Sequence, residues 1–241
     1  MGLYKINKFI ISMNPIYPYL QTSSEKYKID CKLCQTEKLE NIFNIKCDNE
    51  YYIKNQINYK NLSLNDIENI ITCAQFSSIV MNNNAIILHA SAILFKNKIY
   101  LFCADSGVGK STHTKLWQEY YGKDNVIIVN DDKPLVTIEN DLLIASGTPW
   151  SGNSLENVNL SAPVSGIVFI ERDTHNELIK LNKTNEILPL LFNNSPHLSN
   201  KDDIDKLLTI MGNIVSKTNF YKIKCNISVD AVKEASKIII E

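Results

Sequence analysis

In the first 60 residues, apolar and polar side chains alternate as they do in half-buried strands. The pattern is clearest in the segments 6–11, 42–47 and 51–54, with turn residues between the last two. We find no chemical motif that would assign a reaction to this segment. We therefore expect a small β-rich part over residues 1–60.

From residue 61 onward the apolar pattern changes repeatedly between the helical and the strand period. Ser63 and Asp66 form a capping-box pattern, and apolar residues then recur at helical spacing to about Met81. The later predicted elements are an apolar strand segment 85–95, strand 99–103, helix 112–121, strand 126–129, a hairpin over 134–145, strands 164–171 and 178–181, helices 185–192 and 202–215, strand 220–225 and helix 229–239. This alternation predicts an α/β protein whose main domain spans residues 61–241.

The stretch Ala104–Thr112 lies between a predicted strand and a predicted helix, which is the context of a phosphate-binding loop. Gly107 and Gly109 can adopt backbone angles that other residues avoid, so successive N–H groups can turn inward around an anion. Lys110 would reach the β- and γ-phosphates, and the Ser111 hydroxyl would ligate Mg²⁺. The alternative is a glycine-rich turn with a solvated lysine.

The loop departs from the pattern G-x-x-x-x-G-K-[ST] at its first position, where Ala104 stands in place of glycine. Alanine is small but resists positive φ. We therefore expect the entrance of the loop to adopt a conformation that an L-residue tolerates.

Two carboxylates follow a second buried strand, in the sequence Asn130-Asp131-Asp132. A carboxylate at the end of a buried strand downstream of a phosphate loop is the arrangement that holds Mg²⁺ or activates a nucleophile. The alternative is a surface turn, since Asn, Asp and Pro are common turn residues.

Three other features each allow two interpretations. His89 lies inside an apolar segment, so on its own it is more typical of a hydrogen-bonded core histidine. The loop 147–153 contains two glycines, a proline and a tryptophan, which suits either a substrate-side loop or a rigid turn. Arg172 is the single arginine of the chain, and it could stabilise a transferring phosphate or form a surface ion pair.

Composition excludes several classes of function. The net charge of −1 gives no electrostatic reason to expect nucleic-acid binding. No apolar run reaches 18 residues, and the first eleven residues lack the features of a signal peptide, so we expect a soluble cytoplasmic protein without a membrane segment. Cys31 and Cys34 form a lone C-x-x-C, and without a second pair we expect reduced thiols rather than a zinc site.

Together, His89, the stretch Ser106–Ser111 and the pair Asp131-Asp132 resemble the catalytic domain of the HPr serine kinase/phosphorylase family, which is related in fold to phosphoenolpyruvate carboxykinases. His89 stands fifteen residues before Ala104, as the family histidine precedes its phosphate loop.

The resemblance spans residues 85–172. The segments 110–117, 130–134 and 147–152 look like a small HPr-kinase-like subgroup. Some members of that subgroup accompany ribosomally made peptide pathways and phosphorylate peptides.

The resemblance implies a P-loop kinase core that uses ATP and Mg²⁺ to phosphorylate a serine-like hydroxyl. It implies Asp131 as the general base, with His89 and Lys110 at the transferring phosphate. The residues implied to bind ATP are Ser106, Gly107, Val108, Gly109, Lys110, Ser111 and Thr112. Those implied to bind Mg²⁺ are Ser111, Asp131 and Asp132.

The acceptor stays open between a peptide, a protein and a small molecule. Thr112 and His113 stand where the family typically has an acidic residue, and no segment matches the later signature loop of genuine HPr kinases. Two alternatives therefore remain: a bifunctional HPr-type kinase/phosphorylase, and a non-catalytic nucleotide-binding module that regulates a partner. Family members are often homo-oligomers, but the sequence does not fix a number.

Overall fold

The computed structural model of the protein describes residues 2–30 and 42–239. Cys31 and Cys34 lie outside these ranges. The four other cysteines, Cys47, Cys73, Cys103 and Cys225, are free thiols. Within the described ranges, none of the helices is both long enough and apolar enough to cross a lipid bilayer.

The described chain contains both strands and helices along its whole length. The strands are β1 Gly2–Ile6, β2 Phe9–Met13, β3 Lys28–Ile29, β4 Ile42–Asn44, β5 Ile86–Ile87, β6 Ala90–Phe95, β7 Lys98–Cys103, β8 Val126–Asn130, β9 Leu135–Glu139, β10 Leu142–Ser146, β11 Ser161–Arg172, β12 Glu177–Leu181 and β13 Asn219–Cys225. The α-helices are α1 Pro18–Ser24, α2 Asn49–Asn55, α3 Leu64–Met81, α4 Lys110–Tyr121, α5 Thr184–Asn193, α6 Lys201–Val215 and α7 Val229–Ala235. Short 3₁₀ helices span Glu25–Tyr27, Gln56–Asn58, Gly152–Ser154 and Ser236–Ile239.

The N-terminal strands form a four-stranded sheet in the order β3-β1-β2-β4. The predicted strand at residues 51–54 is wrong, because these residues belong to helix α2. The Asp48 carboxylate accepts a hydrogen bond of 3.0 Å from the Tyr51 backbone N–H and so caps the start of this helix. The predicted strand at 42–47 is also shorter than expected, since β4 ends at Asn44.

The main sheet carries the strands in the order β12-β13-β11-β7-β6-β8. β7, β11 and β13 are parallel, and β6 is antiparallel to both β7 and β8. The carboxyl ends of β7, β8, β11 and β13 therefore lie at the same edge as the amino end of β6. We call this edge the carboxyl edge. Strands β5, β9 and β10 extend the first part of β11 as a further antiparallel segment.

Helices cover both faces of the main sheet. Along β7, Ile99 and Leu101 pack with α5 and α6, while Tyr100 and Phe102 pack with α4 and α7 on the other face. This alternation is what a buried strand requires, because successive side chains point to opposite faces. The predicted α/β class is confirmed.

Helix α4 begins two residues earlier than predicted, at Lys110 rather than Thr112. The capping box at the start of α3 is confirmed, with the Ser63 hydroxyl accepting from the Asp66 amide and the Asp66 carboxylate accepting from the Ser63 amide. A third apolar cluster joins the N-terminal sheet to α3 and to Trp150. The first 60 residues therefore share a core with the chain that follows them.

Candidate functional site

The sequence-predicted site residues meet at the carboxyl edge of the main sheet, together with Ile227, which the sequence analysis did not single out. Read across that edge, the order is Ile227 after β13, Arg172 at the end of β11, the phosphate loop after β7, His89 before β6, and Asp131 with Asp132 after β8. Strands in a sheet lie about 4.8 Å apart, so neighbours in this order lie within reach of one another. The fold thereby assembles residues that are up to 138 positions apart in the sequence (89 to 227).

The predicted phosphate loop, residues 104–112, has the backbone angles that its glycines predict. Gly107 and Gly109 have φ values of 78° and 122°, both in the region that favours glycine. No atom lies within 4 Å of where a Cβ would stand at either position, so the backbone angle, rather than space, requires glycine there. Ala104 has no positive φ, which confirms that the entrance of the loop suits an L-residue.

The Lys110 side chain is buried beneath the loop. Its Nζ donates to the carbonyl oxygen of Ala104 at 2.8 Å and lies 3.4 Å from that of Asp105. An ammonium group has three donors, so one remains for an anion in the loop. Burial lowers the pKa of Lys110, and the neighbouring Asp132 carboxylate opposes that shift.

Arg172 holds the phosphate loop from β11. Its Nε donates to the Val108 carbonyl oxygen at 2.8 Å, and its guanidinium also donates to the Gly107 carbonyl oxygen. The sequence analysis interpreted Arg172 either as stabilising a transferring phosphate or as forming a surface ion pair, and neither interpretation predicted this contact with backbone carbonyl groups. Because C=O and N–H point in opposite directions across a trans peptide, holding the Val108 carbonyl directs the Gly109 N–H away from the arginine.

Asp131 is buried and held by side chains from two other elements. Ser91 Oγ on β6 donates to Asp131 Oδ1 at 2.8 Å, and Ser91 Oγ lies 3.0 Å from Thr114 Oγ1 on α4. Asp131 is thus linked to the helix that follows the phosphate loop. Sequence reasoning missed Ser91 and Thr114; Ser91, a small polar residue inside an apolar segment, offered a signal, whereas Thr114 stands among polar residues and offered none.

Asp132 is paired with two basic side chains. Its Oδ1 lies 3.3 Å from His89 Nε2 and 3.2 Å from Lys133 Nζ. Burial, together with the nearby charges of Lys133 and Lys110, lowers the pKa of His89 to about 4. His89 is therefore neutral at pH 7, and its imidazole can donate one hydrogen bond without carrying charge.

The Asn130 side chain fixes the turn that carries both aspartates. Its Oδ1 accepts from the amides of Asp132 and Lys133 at 3.0 and 2.7 Å, and its Nδ2 donates to the Thr148 carbonyl oxygen at 2.9 Å. This is the local hydrogen bonding that suits asparagine to turns. The loop 147–153 therefore supports the aspartate turn directly.

Most described residues of the loop 147–153 are buried and pack against other parts of the protein, so they do not form a substrate-binding surface. Trp150 is fully buried, stacks on Phe76 with ring centroids 4.8 Å apart, and donates from Nε1 to Thr72 Oγ1 at 3.0 Å. Among the residues of this loop whose side chains the structure describes, Gly152 is the one that lines the site, where a Cβ would stand 3.2 Å from Asp132 Cβ. The Tyr19 hydroxyl of α1 donates to the Gly152 carbonyl oxygen.

These residues surround one open cavity of about 390 Å³, which we call the phosphate hollow. Nine of the sequence-predicted site residues line it: His89, Ser106, Gly107, Gly109, Lys110, Ser111, Thr112, Asp131 and Asp132. Val108, which was also predicted, does not line this hollow, because its side chain packs against the cluster beneath α4. Arg172 and Ile227 complete the lining on the opposite side from the aspartates.

The donor set of the hollow fits Mg²⁺ bound together with phosphate. Across the described ranges, no group of three or more His, Cys, Asp or Glu side chains is arranged to hold a metal ion by itself. Mg²⁺ in phosphate-transferring sites usually takes one or two carboxylates, substrate phosphates and water rather than a cage of protein ligands. The Ser111 hydroxyl and the carboxylates of Asp131 and Asp132 on one hollow meet that requirement.

The sequence matches no protein-family model. Comparison with curated proteins also finds no match. Among solved structures, the chain is similar to the Hpr(Ser) kinase/phosphatase from Coxiella burnetii, with 16% sequence identity, a TM-score of 0.37, and coverage of 64% of this chain and 93% of the other. A likeness of this size establishes neither a family nor an activity. The function is therefore inferred from the geometry of the site.

Proposed function

We propose that the protein is an ATP- and Mg²⁺-dependent phosphotransferase that moves the γ-phosphoryl group to a hydroxyl of serine type. One observation carries the proposal: a glycine loop, a buried lysine and two carboxylates line one hollow at the carboxyl edge of a mixed sheet. A protein that only bound nucleotide would have no need of the aspartates and His89 facing the same hollow.

The loop and α4 supply the anion site. The first turn of α4 leaves backbone N–H groups without intrahelical acceptors, and the positive end of the helix dipole favours phosphate there. Lys110 would contact the β- and γ-phosphates, and the amides of the loop would hold the α- and β-phosphates. The γ-phosphate then lies toward His89 and the aspartates, and the nucleoside lies toward Thr112 and Ile227.

The reaction needs positioning and charge stabilisation more than covalent chemistry by the protein. The acceptor oxygen forms a bond to the γ-phosphorus, the bond from that phosphorus to the β–γ bridging oxygen breaks, and ADP leaves. Asp131 takes the hydroxyl proton as the new bond forms. The neutral His89 donates a hydrogen bond to an oxygen of the transferring group.

A metal ion would add charge neutralisation to this arrangement. Ser111, Asp131 and Asp132 would hold Mg²⁺, which would supply positive charge against the negative charge that develops on the leaving group. The chain's own contribution is to fix these oxygen ligands through Asn130 and Ser91.

The test is the variant Lys110→Ala, assayed with radiolabelled ATP and a mixture of serine-containing peptides and small alcohols as acceptors. We expect transfer to fall at least about hundredfold, because a charged donor at the phosphates is lost. The control is Lys123→Ala, which removes an exposed lysine beyond the end of α4 and should keep the wild-type rate. Unchanged transfer by Lys110→Ala would overturn the site.

A further inference from the structure

A second cavity of about 300 Å³ adjoins the phosphate hollow. We call it the α3 hollow, because Ile70, Cys73, Ala74 and Ser77 on one face of α3 form one wall of it. The opposite wall is the segment 193–197, which starts at the last residue of α5. His89 lines both hollows, so the two cavities adjoin at this residue.

The direction of phosphoryl transfer decides which cavity faces the acceptor. The attacking and leaving oxygens lie roughly in line on either side of the transferring phosphorus. If the nucleoside lies toward Ile227, the acceptor approaches from the side of His89 and the aspartates. The α3 hollow opens on that side, beside His89 and Lys133.

By surface area the lining of the α3 hollow is mainly apolar, although seven of its twelve residues are polar or charged. Ile70, Cys73, Ala74, Ile87 and Pro196 contribute apolar surface to it. Burial raises the pKa of the Cys73 thiol to about 12, so this group stays neutral at pH 7. The described lining contains no carboxylate, and the one lysine, Lys133, lies 3.2 Å from Asp132. Such a surface favours an aliphatic group over a basic one.

We propose that the acceptor is a peptide in which the reacting serine stands next to an aliphatic residue. The serine hydroxyl would reach Asp131 in the phosphate hollow while the aliphatic side chain fills the α3 hollow. Successive Cα atoms of a peptide lie about 3.8 Å apart, which suits two binding positions that adjoin at His89. A cavity of about 300 Å³ is at the small end for whole ligands and suits a side chain better. This inference rests on the proposed phosphotransferase function.

The probe is a library of hexapeptides with a fixed central serine and all other positions randomised, labelled with radioactive ATP. We expect the wild type to select Leu, Ile, Val or Met beside the serine at least about fivefold over Asp or Lys. Ala74→Trp fills the α3 hollow from an exposed helix position. We expect it to remove this selection and to raise the KM for the selected peptide about tenfold, while the KM for ATP stays unchanged.

The matched control is Ser78→Trp, which places the same side chain at another exposed position of α3 outside the hollow and should keep the wild-type selection. Wild-type transfer without an aliphatic preference, or a preference that survives Ala74→Trp, would overturn the inference. Transfer to small alcohols but to no library peptide would also overturn it while leaving the phosphotransferase function intact. Transfer by Lys110→Ala at the wild-type rate would instead remove the proposed function itself.

Discussion

Arg172 and Val108, 64 residues apart in the sequence, are joined by a hydrogen bond of 2.8 Å from the guanidinium Nε to the carbonyl oxygen. The same guanidinium also binds the carbonyl oxygen of Gly107. A planar fork that holds two successive carbonyl groups fixes the orientation of the peptides between them. The conformation of the phosphate loop is therefore set in part from a different strand.

Arg172→Lys should raise the KM for ATP about tenfold and change kcat less than about threefold. Lysine keeps the charge but cannot hold two carbonyl groups in a fixed geometry. Steady-state kinetics with varied ATP separates this positioning role from stabilisation of the transferring phosphate. A large loss of kcat with an unchanged KM would show that the guanidinium acts on the reacting group instead.

Asp131→Asn should leave ATP binding within about twofold of the wild type, because Ser111 and Asp132 remain to hold Mg²⁺, and should lower turnover by about 10² to 10⁴. The asparagine Oδ1 can still accept the hydrogen bond from Ser91, so the local structure is kept while the proton acceptor is lost. Calorimetric titration with ATP and a transfer assay measure the two quantities. If ATP affinity collapses and turnover per bound ATP is unchanged, Asp131 is a binding residue rather than the base.

Ile227→Ala should weaken ATP binding about tenfold and leave the binding of tripolyphosphate unchanged. Ile227 is 67% exposed and lines the phosphate hollow beside Thr112, where it can cover the face of the nucleoside base. The two ligands share the phosphates and differ in the nucleoside. Ile57→Ala, at a residue that is 71% exposed in the N-terminal part, is the matched control. Equal losses for both ligands would contradict a contact with the nucleoside.

His113 should make the protein less stable as the pH falls. It is buried in α4, its Nε2 accepts a hydrogen bond of 3.2 Å from Trp117 Nε1, and burial lowers its pKa to about 4. Between about pH 6.5 and pH 4 the unfolded chain binds this proton and the folded chain does not, so the free energy of unfolding decreases as the pH is lowered. The contribution across this window is about 3 kcal/mol.

Urea denaturation between pH 7 and pH 4.5 measures this effect. The pKa of His89 is also lowered to about 4, so His113→Gln removes one of two histidines that titrate in this window and should reduce, rather than abolish, the dependence of the unfolding free energy on pH. His175→Gln changes an exposed histidine in a loop and serves as the control. A pH slope that His113→Gln leaves unaltered would assign the acid sensitivity to other groups.

Local sequence patterns predicted the parts of the site that depend on neighbouring residues. Gly107 and Gly109 are needed for backbone angles within one loop, and the turn at Asn130 is closed by the asparagine's own side chain. Such interactions span two to four residues and leave a signature in the order of residue types. The capping box of Ser63 and Asp66 belongs to the same class.

Contacts between distant segments could not be predicted in this way. Ser91 lies 40 residues from Asp131, and Arg172 lies 64 residues from Val108, so only the strand order brings them together. The helix at Asn49–Asn55 was missed because a short apolar segment fits both the helical and the strand period. In this segment the Asp48 carboxylate caps the first turn and so favours the helix over a strand.

The two tryptophans of the chain lie in different cores. Trp117 packs beneath the phosphate loop against Tyr100 and Phe102, while Trp150 stacks on Phe76 between α3 and the N-terminal sheet. Each indole therefore emits from a separate environment. Replacing one tryptophan at a time with phenylalanine would give two fluorescence reporters, one for the layer around the phosphate loop and one for the N-terminal layer. The order in which these layers lose their structure during denaturation would then be visible in the intrinsic emission of the protein.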